Sequence, residues 1–231
     1  MAVWDDAAVT AGIRAQGRLL QERLDAGGTL AGWKIGFGSP AAMERLGIEA
    51  PLVGFVVSVL DSGSTVSLDG WTKPAFEPEI AIHLGRDLGP GATRAEAAAA
   101  ISALGPAIEL ADLGGPLDDV EAIVGGNIFQ RHVVLAPADS NRAGGDVSGI
   151  DVRVLCNGAE VGATADPEAL TGNLVDLTLH TADWLAAAGH HLRAGQVIMA
   201  GSVIPLVWPI PGDRIEYLCR PMGTLELIYT D

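Results

Sequence analysis

Lysine is nearly missing from this chain. Of 14 basic residues only Lys34 and Lys73 are lysines, and acids outnumber bases 29 to 14. The formal charge of −15 excludes the basic surface that non-specific nucleic-acid binding needs, and it opposes attachment to anionic membranes. A small anionic substrate stays open, because one metal ion or one lysine inverts the potential locally. Cysteine is scarce too: Cys156 and Cys219 make neither a disulfide framework nor a metal-binding spacing. Aromatics are few and do not interleave with basic residues as in RNA binders. Of the two long apolar runs, Pro51–Leu60 is too short to span a bilayer, and Val197–Pro211 is broken by Gly201, Ser202, Pro205 and Pro209. The opening MAVWDDAAV lacks the basic and then apolar stretches of a secretory signal, so a cytoplasmic location is expected. No GxGxxG following a strand, Walker loop, HExxH or GxSxG occurs.

What is present is apolar bulk. With 231 residues, 48% of them hydrophobic, the chain suffices for one sizeable core. Helical spacing runs from Asp5 to Asp25 and stops at Gly27-Gly28. Ser39-Pro40 opens a second helix that Gly47 closes. Thr93–Glu96 is a capping box ahead of an alanine-rich helix over Ala97–Leu104. Asp166-Pro167 starts a helix reaching about Ala188, with Leu170, Leu174, Leu177 and Trp184 as inward candidates. Strand-like runs are Gly54–Leu60, Glu79–Leu84, Ala107–Ala111, His132–Ala136, Gln196–Ala200, Arg214–Leu218 and Thr224–Thr230. Asn157-Gly158 joins Val152–Cys156 to Glu160–Ala163 as a two-residue hairpin. The pattern predicts an α+β fold: a helical N-terminal layer, with a small α/β subdomain over residues 1–70, and a larger mixed or antiparallel β portion over 71–231.

The chemistry concentrates in acids placed where apolar residues belong. In Phe76–Ile82, FEPEIAI, Glu77 and Glu79 share one face of a strand, about 6.6 Å apart along the chain. Converging carboxylates repel unless a cation meets them. Two arrangements satisfy this: an exposed or salt-bridged pair, or a pair facing a hard divalent cation. Glu109, in Pro106–Asp112 (PAIELAD), is a third acid in an apolar run, with Asp112 close behind, and would complete a facial set open to water or substrate. His83 lies on the same face, as a further ligand or a satisfied histidine. Lys34 lies among apolar residues and glycines, where desolvation lowers a lysine's pKa and suits it to proton transfer or to holding an anion. Equally, its stem packs while its head reaches water.

Taken in order, GWKIGF (from Gly32), FEPEIAIHLGRDL (Phe76), PAIELAD (Pro106), GGNIFQRHVVLA (Gly125), AGQVIMAGSVIPLV (Ala194) and PGDRIEYLCRPMGTLEL (Pro211) resemble the fumarylacetoacetate hydrolase superfamily over essentially the whole chain. Within it they most resemble the branch of 2-oxopent-4-enoate hydratases and 2-oxo-3-hexenedioate decarboxylases. The resemblance implies that family's C-terminal-domain-like fold, a mixed or antiparallel β-sheet roll, with residues 71–231 as catalytic domain. It implies magnesium or manganese (Mg2+ or Mn2+) bound by Glu77, Glu79 and Glu109, and a small 2-oxo acid substrate reacting through a metal-stabilised enolate in aromatic-compound catabolism. Lys34 matches the family's lysine, a proton donor or carboxylate clamp, and Gly201 and Ser202 match a loop beside the substrate. Homo-oligomeric assembly is a further implication.

The chain also departs from the pattern. Hydratases of this branch carry an acid soon after the glycine matching Gly54, where Val57 and Ser58 stand here, and their Asp-Asn pair appears as Gly126-Asn127. Ser58 and Asn127 thus become catalytic candidates, and Arg131 with His132 candidates for a second carboxylate. Four readings follow: a hydratase, a decarboxylase of a 2-oxo dicarboxylic acid, an acylpyruvate hydrolase, and a family member that binds 2-oxo acids without turnover. The hydrolase reading is the weaker enzyme reading, since superfamily hydrolases use a His–Glu dyad ahead of the metal motif and no histidine precedes His83.

Overall fold

The N-terminal helix α1 (Ala7–Asp25) starts where Asp6 accepts hydrogen bonds from the Ala8 and Val9 N–H groups. The computed structural model describes residues 2–231. After α1 come β1 (Gly32–Gly36), α2 (Pro40–Leu46), β2 (Leu52–Val56), β3 (Val59–Leu60), β4 (Thr65–Ser67) and β5 (Pro74–Leu84). Next are α3 (Arg94–Ala100), β6 (Ile101–Asp112), α4 (Val120–Gly125) and β7 (Gln130–Leu135). The chain ends with β8 (Asp151–Cys156), β9 (Ala159–Thr164), α5 (Glu168–Thr171), α6 (Leu174–Ala187), β10 (Val197–Ser202), β11 (Arg214–Arg220) and β12 (Gly223–Thr230). Among the described residues no helix is long and apolar enough to cross a membrane.

Seven strands form one sheet in the order β2-β1-β10-β5-β6-β7-β3, and five form a second, β4-β12-β11-β8-β9. The two edge strands of the first sheet are successive pieces of one segment. β2 pairs with β1, and two residues later β3 pairs with β7. The sheet therefore closes on itself as a roll, and β2 touches β7 although four strands separate them in the order. The outer face carries Phe76, Ile80, Ile82, Leu104 and Ile108, in one core cluster with Val154, Ile215, Tyr217 and Leu227 of the second sheet. Inside the roll sits a smaller, fully buried cluster of Val56, Ala81, Ala107, Val133 and Met199. Gly32 allows β1 to lie against β10, since a Cβ there would stand 2.0 Å from the Val197 carbonyl oxygen.

The α+β class and the sheet roll hold, but the boundary at residue 70 does not divide the chain into separate bodies. β1, β2 and β3 complete the roll, and β4 joins the second sheet beside β12. The alanine-rich helix stops at Ala100 rather than Leu104, because Ile101–Leu104 pair with β5, Leu104 facing Ile82. The long helix expected from Asp166 breaks at Gly172 (φ 87°), and Asn173 caps a new start. Leu170 falls in the short first piece and is exposed, whereas Leu174, Leu177 and Trp184 are buried as expected.

Candidate metal and substrate site

β5 and β6 bring the acids together. Glu77 stands directly opposite Glu109 in the ladder and Glu79 opposite Ala107, so all three carboxylates face the roll's interior. β1 adds Lys34 to the same face, through Met199 and Ala81. Lys34, Glu79 and Glu109 are buried, and Glu77 is half-buried at the cavity. A bulge in β10 lifts Gly201 (φ 95°) so that its N–H donates to Glu79 Oε2 at 2.7 Å.

Lys34 Nζ lies 3.0 Å from Glu109 Oε1. This is a contact of charge: neither oxygen of Glu109 has an aligned hydrogen-bond partner, and Glu79 Oε1 is likewise orphaned. Burial pushes Glu109 up to about 7 against the pull of Lys34. It raises Glu77 as well, and Glu79 more strongly, with Glu109 and Glu77 adding repulsion there. Desolvation pulls Lys34 down, as its apolar neighbours suggested, but the charges of Glu109, Glu77 and Glu79 outweigh it and hold the ammonium above its ordinary pKa. The depressed lysine expected from sequence is thus corrected to a raised one.

Among the described residues no three acid, histidine or cysteine side chains are drawn tightly around one point as in a finished metal cage. The donor set nevertheless fits a hard dication. Once all three carboxyls give up their protons, they and one ammonium leave two negative charges for an ion to meet, and orphaned carboxylate oxygens are the groups such an ion satisfies. His83 is four residues from Glu79 along β5 and does not line the cavity. Asp112 is an anchor instead, accepting from the N–H groups of Thr72 and Lys73 and from Arg131.

The cavity holds about 510 Å3 and reaches Lys34, Glu77, Gly201 and Ser202. Ser202 Oγ donates to the Ile204 carbonyl at 2.7 Å. Ser58 and Arg131 do not line it. They lie with His132 in a second cavity of about 430 Å3, where Ser58 Oγ stands 2.6 Å from His132 Nδ1 and Arg131 pairs with Asp112 over the Trp71 ring. Adjacency to motifs in the sequence did not reveal on which side of the roll these side chains emerge.

Asn127 lies behind Lys34, its amide spent on the backbone of β2: Nδ2 donates to the Phe55 carbonyl at 2.9 Å and Oδ1 accepts from the Phe55 N–H at 2.7 Å. Gly54 is needed there, because a Cβ would stand 2.9 Å from Asn127 Oδ1 and 3.1 Å from Lys34 Cγ. Asn127, Ile128 and Phe129 all have positive φ, a strained turn whose last two residues wall the cavity. Replacing Asn127 by alanine strands two buried backbone groups and is expected to cost about 1–3 kcal/mol, read from the denaturation midpoint. Ile128 and Phe129 lie inside the matched stretch from Gly125 but were given no role, and the wall residue Thr171 carried no signal in the sequence.

The family model described as Fumarylacetoacetate (FAA) hydrolase C-terminal matches residues 37–227. The chain belongs to the fumarylacetoacetate hydrolase family. Its similarity to the 2-hydroxyhexa-2,4-dienoate hydratase of Comamonas testosteroni is 30% identity over 222 residues, covering 92% of this chain and 83% of that one. A 4-oxalocrotonate decarboxylase of Pseudomonas putida is 27% identical over 218 residues, covering 91% and 81%. The solved 4-oxalocrotonate decarboxylase from Pseudomonas putida G7, complexed with magnesium and adipate, superposes with a TM-score of 0.86 at 25% identity, covering 94% of this chain and 84% of that one.

Proposed function

We propose that this family member is a divalent-metal-dependent lyase acting on a small 2-oxo or 2-hydroxy-dienoic acid, with Glu77, Glu79 and Glu109 holding magnesium or manganese. The observation that carries this reading is the buried Lys34–Glu109 contact among orphaned carboxylate oxygens at the end of a cavity large enough for such an acid. The ion would supply Lewis-acid stabilisation of charge developing on a bound 2-oxo acid. The chain's own groups do the rest. The Gly201 N–H fixes the Glu79 carboxylate. Lys34, whose Nζ stands beside Glu109 at the cavity, is placed to donate a proton to the substrate carbon that takes one up or to clamp the substrate carboxylate. Ile35, Ile128 and Leu113 line the space between and limit water.

Hydration is the first reading, supported by the hydratase relative. Decarboxylation of a 2-oxo dicarboxylic acid is the second, supported by the TM-score to the decarboxylase and by the absence of an acid at Val57 and Ser58. The test incubates the protein and manganese with 2-hydroxypenta-2,4-dienoate and, separately, with 2-oxo-3-hexenedioate. Loss of dienoate absorbance without gas supports hydration, and release of carbon dioxide supports decarboxylation. Silence on both overturns the reading for these two substrates and favours a changed substrate or a binding role. A homo-oligomer and a cytoplasmic setting belong to the same proposal, supported by the exposed apolar Val59, Val161 and Ile210 and by two free cysteines.

A further inference from the structure

We infer that Ser58 and His132 form a nucleophile–base pair in the second cavity, a site for acyl transfer from small carboxylic esters that lies apart from the carboxylate site and needs no metal. The inference is independent of the lyase reading.

The two side chains meet where β3 runs beside β7. The Val133 N–H donates to the Ser58 carbonyl at 2.9 Å, and Val59 and Leu60 pair with Val133 and Val134. That backbone pairing already joins the strands, so the contact of 2.6 Å between Ser58 Oγ and His132 Nδ1 is not needed to hold them. It opens instead on a cavity of about 430 Å3, with both residues half-buried. A serine hydroxyl becomes a nucleophile when a neighbouring base takes its proton. With the ring proton on Nε2, Nδ1 accepts from Oγ, which is the direction such a pair requires. Burial and the charge of Arg131 pull His132 below its ordinary pKa, so the imidazole is neutral and free to take a proton. The ring packs beside Trp71, with 6.3 Å between centres and a tilt of 31°.

The rest of the cavity suits an ester. Among the described residues Gln130 Nε2 is buried without a hydrogen-bond partner, and Gln130 lines this cavity. A spare donor is the group that a carbonyl oxygen gathering negative charge calls for. Leu19, Phe55 and Val57 give an apolar wall for a short acyl chain. In the reaction Ser58 Oγ bonds to the ester carbonyl carbon as its proton passes to His132. The C–O bond then breaks, and the alcohol leaves with that proton. Water attacks the acyl-serine, its own proton passing through the same imidazole, and carboxylic acid and free serine result.

Two probes test this, a fluorophosphonate and p-nitrophenyl acetate, each offered to the full chain with manganese and with EDTA. The fluorophosphonate bonds to Ser58 Oγ with loss of fluoride, at the same rate in both conditions, and mass spectrometry of the digest locates it. The acetate gives a burst of nitrophenolate of about one equivalent. Ser58→Ala keeps the backbone carbonyl that β7 binds and ends both signals. His132→Gln retains the serine but slows labelling by about 10^2-fold or more, the low end of a general base's contribution. Melts followed by circular dichroism check that both variants are folded, and the wild-type label decides the site whatever their stability. Absence of label on Ser58, or labelling as fast in His132→Gln as in the wild type, overturns the pair. Ester cleavage that EDTA abolishes, with Ser58 unlabelled, assigns the reaction to the metal site and overturns it too. Neither result touches the lyase reading, which manganese binding and substrate turnover test separately.

Discussion

Glu109→Gln abolishes divalent-ion binding, with a loss in manganese affinity of more than about a hundredfold, because a direct ligand outweighs the supporting contacts whose removal already costs 10–100-fold. Calorimetric titration of manganese into wild type and variant measures it, and an unchanged affinity sinks the proposed site. Glutamine keeps the shape of a residue that is wholly buried between β5 and β7, so the variant folds. The pH dependence supplies an independent readout. Burial holds the Glu109 carboxyl up to about 7, above the ordinary carboxylate range. Below that pH a proton must leave before the ion enters, so manganese affinity falls as pH drops from 7 toward 5 and each ion bound releases protons. The sign for folding is the opposite. Without the ion, the folded chain holds this proton more tightly than the unfolded chain does, so stability falls as pH climbs from the ordinary carboxylate range to about 7 and is level above. Excess manganese restores it at the high end.

Lys34→Met lowers turnover by about 10^2–10^4, the range of a lost general acid, while manganese affinity moves by less than about tenfold. The split between the two measurements is the informative result, since a lysine that merely packs would leave turnover intact. Methionine retains the stem's contacts over Gly54, so the roll itself is preserved. Removing the ammonium also takes away the main pull holding the Glu109 carboxyl down, so the pH below which manganese binding weakens moves up.

The sequence revealed these elements unevenly, for physical reasons. Asn157-Gly158 was legible because a tight hairpin is local, and both residues take the positive φ that the turn requires. Glu77, Glu79 and Glu109 were legible because acids inside apolar runs have to be explained, and the ladder sets Glu77 against Glu109. Local cues misled at Ala97–Leu104, where alanines favour helix but Ile101–Leu104 pair with a strand nearly twenty residues earlier. They misled at Lys34 too: its sequence neighbours are apolar, and the three acids that reverse its pKa shift arrive from strands at least forty residues away. Ser58 closely follows the matched Gly54 and Arg131 lies inside the matched stretch from Gly125, yet both open on the second cavity.

The parallel pairing of β1 with β10 governs the order of assembly on the ribosome. β1 pairs with β2 and β10, and β10 leaves the exit tunnel some 160 residues after it. The carboxylate strand β5 waits for the same partner on one of its edges, so one side of the pocket stays unwalled through most of translation. Such distant pairings are slow to form and expose sticky edges meanwhile. A nascent chain arrested before Val197 is accordingly expected to be digested readily by protease across β1 and β5, and one arrested well past Ser202 to resist.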